Sequence, residues 1–212
     1  MEFNHFLKLV PKIANIALPG EQAHFKMAPP ERRKIMESLN LSVANPRKAA
    51  VLMLVYPQNG QAMLALIRRN SYKGVHSSQI AFPGGKVETF DESELATALR
   101  ETHEEVGVAP TDVVVVAPFT PVYIPPSNFY VAPFLGYHET QPQFIPDPRE
   151  VAAMVQLPLS VLLDESNIVN RNMNTSYSEA IDVPSIIIGD DAIWGATAMM
   201  LSELKDVLSS VR

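Results

Sequence analysis

Apolar residues change their spacing along this chain, and each change marks an element. Between residues 3 and 16, Phe6, Leu7, Val10, Ile13 and Ile16 recur at helical intervals, which predicts a helix ended near Pro19-Gly20, whole or broken at Pro11. Residues 21 to 47 are polar and proline-bearing with one short helical patch, and read as a lead-in. The pattern then tightens. "AAVLMLVYP" and "QAMLALIRR" flank Asn59-Gly60, which predicts two strands in a hairpin. The core domain is therefore expected over 49–212, with 1–48 as an N-terminal helical extension. A helix is predicted over 92–106 and a strand over "DVVVVAPF" (112–119). "PVYIPPSNFYVAPFLGYH" predicts one or two strands about a proline loop, and another strand is predicted from Val183 to Ile188. The chain closes on a helix from Trp194 to Val211, with Ala198, Leu201, Leu204, Val207 and Leu208 on one face. Strands and helices mix without a regular βαβ period, which favours an α+β or layered α/β/α arrangement over a doubly wound sheet.

Composition narrows the chemistry. The 212 residues are 47% apolar, enough to bury a substantial core in one globular unit. A net charge of −6 supplies no broad basic field, so nucleic acid is not the expected partner and a small molecule is. With no cysteine there is neither disulfide nor thiolate chemistry, and a metal has to be held by oxygen or imidazole. The N-terminus lacks the pattern of a secretory signal and no window approaches 18 apolar residues, so a cytoplasmic protein without a membrane partner is expected.

The helix over 92–106 carries the sharpest signal. On a wheel of about 100° per residue, Leu95, Ala98, Leu99, Thr102 and Val106 share one face, which is expected to enter the core. Along one side of that face, about 80–120° from Leu95, lie Glu94, Glu101 and Glu105, with Glu104 and Thr97 farther round and no lysine among them. Asp91 or Ser93 caps the start and Gly107 stops the end. Like charges at these spacings repel, and near a helix C-terminus they oppose the macrodipole. A solvated face is one explanation, but such faces usually interleave bases, and here the nearby base is Arg100, placed to pair with Glu104. The Gly84-Gly85 loop before the helix lets bare backbone approach a ligand. Clustered carboxylates beside free carbonyls suit a hard divalent cation, Mg²⁺ or Mn²⁺, which would cancel the repulsion.

These residues resemble the Nudix hydrolase signature, G-x5-E-x7-R-E-U-x-E-E-x-G-U with U apolar. Glu92, seven further residues, and then "RETHEEVGV" from Arg100 to Val108 match its latter half, with Thr102 at an apolar position. The loop from Gly85 to Glu92 is one residue longer than the pattern, so Asp91 and Glu92 both stand for the first glutamate. The resemblance implies a Nudix-like α/β/α sandwich with a mixed sheet and hydrolysis of a small-molecule diphosphate. Its implied metal ligands are Glu101, Glu104 and Glu105, with the Gly85 carbonyl as a further one, and Arg100 orients a glutamate. A general base often lies outside the signature in this superfamily; Glu150 is the candidate, with Glu139 and the signature glutamates as competitors. A non-catalytic binding module on the same fold would be expected to have lost these glutamates.

A narrower resemblance lies upstream. "RRNSYKGVHSSQIAFPGGK" is similar to the segment marking the coenzyme A diphosphatase branch, through Arg69 and Phe82-Pro83-Gly84-Gly85. Gly74 stands where that pattern has a second arginine, with Lys73 or Arg68 as alternatives for its charge. The resemblance implies cleavage of coenzyme A or its thioesters to 3′,5′-ADP and 4′-phosphopantetheine, with Arg69, Phe82 and Gly84 near the substrate; His76, in the same segment, is a candidate for contact with substrate phosphate or for ordinary loop packing. It also implies a homodimer. Phe129, Tyr123 and Tyr130 border "IPPSN" as candidates for an adenine pocket or for ordinary core packing.

Overall fold

The computed structural model describes residues 1–37, 44–70, 79–173 and 181–212. Three helices come first: α1 (Phe3–Ile13), α2 (Glu21–Phe25) and α3 (Pro30–Glu37). The hairpin follows as β1 (Arg47–Gln58) and β2 (Gln61–Arg69), closed at Asn59 and Gly60 with φ of 51° and 79°, the positive values a tight primed turn needs. Short strands β3 (Ile80–Ala81) and β4 (Gly84–Lys86) precede α4 (Glu94–Val106). Then come β5 (Val114–Pro118), β6 (Val122–Ile124), β7 (Phe129–Tyr137), β8 (Val151–Pro158) and the single turn α5 (Leu159–Leu162). The chain finishes with β9 (Ile168–Met173), β10 (Ile181–Ile188), β11 (Asp191–Ile193) and α6 (Gly195–Val211).

The main sheet runs β3-β2-β1-β7-β5, with β4 also on β1, β6 on β7 and β8 on β2. β1 and β7 pair in parallel and the other pairs are antiparallel, so the sheet is mixed as expected. Alternation along β1 divides the core. Met53 and Val55 enter a cluster with Phe6 and Leu9 of α1 and Leu201 and Leu204 of α6. Leu52, Leu54 and Tyr56 enter a second cluster with Ala98 and Val106 of α4. Helices thus cover both faces, the α/β/α sandwich implied by the sequence. β9, β10 and β11 form a separate antiparallel sheet.

The N-terminal helices are packed onto this body. Phe3, Phe6, Leu9 and Ile13 of α1 are buried, and the helix runs unbroken through Pro11. Buried Glu203 of α6 accepts hydrogen bonds from the Gly20 and Thr120 amides and the Thr120 hydroxyl, which fixes the start of α2 against α6.

Several strands carry no periodic signal in the sequence. β3 and β4 are too short for periodicity, and "VAAMVQLP" of β8 is rich in alanine. Pairing with β2 from Met63 to Arg69 makes β8 a strand.

Candidate functional site

Helix α4 is fixed at both ends. The Ser93 hydroxyl accepts the Ala96 amide at 3.1 Å, and Gly107 at φ 78° terminates the last turn. Its buried residues are Thr97, Ala98, Thr102, Glu105 and Val106, whereas Leu95 and Leu99 are only half-buried. The core-facing side is therefore turned from the apolar face of the wheel toward Thr97 and Glu105. The cause lies in β4: Gly84 donates its N–H to Glu105 Oε2 at 2.8 Å, and this buried bond holds the carboxylate inward.

Glu105 is 2% exposed. Burial pushes its carboxyl up to about 7, and the negative charges of Glu101 and Glu150 add to the rise. The Gly84 amide and Arg69 act the other way, with Arg69 Nη1 3.8 Å from Oε1. Glu101 is also pushed up, chiefly by burial and further by Glu104 and Glu150, against the pull of Arg100. It packs on Gly85, where a Cβ would lie 2.3 Å from Glu101 Oε2 and would push the carboxylate aside.

Arg100 organises the outer edge. Its Nε and Nη2 donate to the two oxygens of Asp91 at 2.9 Å each, and its Nη1 reaches Glu101 at 2.7 Å and Glu104 at 3.0 Å. Asp91 also accepts from the Thr97 hydroxyl and the Glu88 amide. The Arg100 guanidinium holds the Asp91 carboxyl well below the usual carboxylate range. In the lengthened loop Asp91 meets the arginine, while Glu92 is exposed.

Phe82 is buried, Gly84 and Gly85 adjoin the carboxylates, and Arg69 joins Glu105 at the end of β2. Glu150 is exposed in the turn before β8, near enough to raise both Glu101 and Glu105. Glu139 does not figure among the charges acting on either. His76, Lys73 and Gly74 lie outside the described residues. Beside β4 opens a cavity of about 360 Å³ whose walls include Phe129, Phe82 and Trp194, with neither Tyr123 nor Tyr130 in its lining. Residues from α3 and α6 complete it, a contribution that no local pattern in the sequence signals.

Comparison with known proteins decides the family. The NUDIX domain model matches residues 46–175, more than half of the chain. The chain belongs to the Nudix hydrolase family. It is 33% identical to the human mitochondrial coenzyme A diphosphatase NUDT8 over 159 residues, 74% of this chain and 67% of the relative. Identity to the Nudix hydrolase NudL of Enterobacter sp. (strain 638) is 38% over 125 residues, 59% of this chain and 64% of that protein. The fold resembles the Nudix hydrolase RenU of M. smegmatis, with a TM-score of 0.54 and 16% identity over 79% of this chain and 88% of the other. A MutT/nudix family protein from Enterococcus faecalis gives 0.53 and 17% over 92% and 76%.

The donor chemistry of this Nudix hydrolase fits a hard cation. Glu101 and Glu105 both resist ionisation because burial and neighbouring acids oppose their charge, a penalty that a divalent ion removes. Among the described residues, no three carboxylate or imidazole side chains already converge as a ligand set. Arg100 accounts for this by drawing Glu101 and Glu104 to itself. A cation held by those carboxylates would need them to turn from Arg100, which would keep Asp91.

Asp91 is thus the anchor of Arg100, and Asp91→Asn should lower kcat by about 10- to 100-fold, the usual cost of losing a group that orients metal ligands. Because the folded-state carboxyl titrates below its ordinary value, its stabilising contribution is present above the ordinary carboxylate pKa and lost as pH falls toward the lower one. Thermal melts of wild type should show this acid-side loss, and melts of Asp91→Asn should lack it.

Proposed function

We propose that this Nudix hydrolase cleaves the diphosphate of coenzyme A and its thioesters, with Mg²⁺ or Mn²⁺, releasing 3′,5′-ADP and the corresponding 4′-phosphopantetheine. One observation carries the reading: the two elements resembling the coenzyme A branch, Arg69 and Phe82-Pro83-Gly84-Gly85, converge on buried Glu105. The identity to a human coenzyme A diphosphatase supports it. Hydrolysis of ADP-ribose or another nucleoside diphosphate derivative is the second reading, favoured by Gly74 in place of the branch arginine.

In this mechanism Glu101, Glu104 and Glu105, with the Gly85 carbonyl, would hold the cation, which would supply Lewis-acid stabilisation of phosphoryl oxygens and a lowered pKa for water. Arg69 and Lys86 bind phosphate oxygens and offset their charge. The Gly84 amide keeps Glu105 aimed at the site. Water adds to one phosphorus while the bridging P–O bond breaks, and its proton passes to Glu150, exposed and close to the other carboxylates. Glu150→Gln should lower kcat by 10²- to 10⁴-fold, the typical contribution of a general base, with KM little changed. A loss below about tenfold assigns the proton to another group.

The Nudix-fold resemblance supports a homodimer. Among the described residues no helix is long and apolar enough to cross a membrane. The substrate assignment is tested by incubating the purified chain and Mg²⁺ or Mn²⁺ with coenzyme A, acetyl-CoA, ADP-ribose and NADH and separating the products. Release of 3′,5′-ADP from both thiol and thioester at the highest kcat/KM is expected; turnover of ADP-ribose or NADH alone selects the second reading.

A further inference from the structure

The cavity beside β4 and the carboxylate cluster share a wall. Gly84, Gly85 and Lys86 line the cavity, while Gly84 also bonds Glu105 and Gly85 packs against Glu101. At about 360 Å³ it falls in the range of small-ligand sites. Its charged lining among the described residues is all cationic, Arg32, Arg69 and Lys86, and most of the remaining surface is apolar. The cations lie apart. Lys86 pairs with Ala49 on β1, Ala49 with Val131 on β7, and Val131 with Val122 on β6. Arg32, 3% exposed, donates Nη2–H to the carbonyl of Tyr123, next along β6, at 2.7 Å. Three strand spacings, about 14 Å, therefore separate Lys86 from the strand that carries Arg32's acceptor. Phe129 offers a ring, braced by the Arg47 guanidinium 4.1 Å from its centroid.

A ligand that suits this chamber is anionic at both ends, with a flat or apolar body between. An uncharged pantetheine arm has no use for a buried guanidinium at the far end. We propose that the cavity holds the nucleotide half of the substrate, with Arg69 and Lys86 at the diphosphate, Phe129 against the base and Arg32 at the ribose 3′-phosphate. The assignment rests on the coenzyme A reading. Pro29 and Arg32 precede the family-matched segment 46–175, and Trp194, Ala196 and Met200 follow it, so the flanking segments set the specificity of the enzyme.

The test is calorimetric titration of the full chain, without metal, with 3′,5′-ADP, 5′-AMP and 4′-phosphopantetheine. Wild type should bind 3′,5′-ADP at least tenfold tighter than 5′-AMP, and Arg32→Gln should erase that preference. Ala196→Trp, which fills the chamber, should weaken both nucleotides at least tenfold and leave 4′-phosphopantetheine within about twofold; it serves as the test if Arg32→Gln does not fold. Equal binding of the two nucleotides by wild type, or loss of 4′-phosphopantetheine instead of nucleotide in Ala196→Trp, overturns the assignment. If coenzyme A is hydrolysed while 3′,5′-ADP binding ignores both variants, the cavity assignment alone falls. If coenzyme A is not hydrolysed yet the binding pattern holds, the substrate reading falls and the bisphosphate site stands.

Discussion

Glu105→Gln should reduce kcat by at least about 10³-fold, because a buried ligand charge whose effect is worth several kcal/mol is removed while shape is kept. The fold should survive and, without metal, gain stability above neutral pH. Burial raises the Glu105 carboxyl from its ordinary 4.5 to about 7, so between these values the folded chain holds a proton that the unfolded chain has released. Wild-type stability from this group therefore falls as pH rises through that window, by on the order of 3 kcal/mol when it is complete. Glutamine has no proton to lose. Melts of the metal-free variant should thus lie above wild type at pH 8 and converge with it near pH 4. Turnover near wild type would remove Glu105 from the reaction, and coincident melts at pH 8 would remove the buried charge.

Gly84→Ala should be the most damaging change to the fold. Gly84 sits at φ 150°, and a Cβ there would lie 2.3 Å from the Ala50 carbonyl oxygen and 2.6 Å from Val51 Cα. Both are backbone atoms of β1, so relief requires β4 to leave the sheet, taking with it the amide that orients Glu105. A loss of about 3 kcal/mol or more is expected, visible as a sharply lowered melting temperature or little folded protein. Gly85→Ala provides the contrast. Its Cβ meets the carboxylate end of Glu101, a side chain that can swing away, so the variant should fold and lose activity. Equal stability of the two variants would contradict this division between backbone and side-chain clashes.

Features built from local chemistry or long apolar periods are legible in the sequence. The hairpin and the long helices announce themselves because their apolar periods extend over many residues. The ends of α4 were readable from Ser93 and Gly107, since caps are local chemistry. The inward turn of Glu105 was not, because it depends on the amide of Gly84, 21 residues earlier, and that placement comes from β4 pairing with β1. Likewise, the loop length left Asp91 and Glu92 equivalent until the position of Arg100 separated them. The cavity was least legible: Arg32, Phe129 and Trp194 meet across long sequence separations, and neither composition nor spacing encodes that meeting.

The claim that Glu101, Glu104 and Glu105 form a divalent-cation site is tested most directly by titrating metal-free protein with Mn²⁺ and following free ion by electron paramagnetic resonance at pH 6 and 8. Wild type should bind Mn²⁺ more tightly at pH 8, because binding displaces the proton from Glu105, and Glu105→Gln should lose both the affinity and its pH dependence. Equal, pH-independent Mn²⁺ binding by the two proteins would contradict the site.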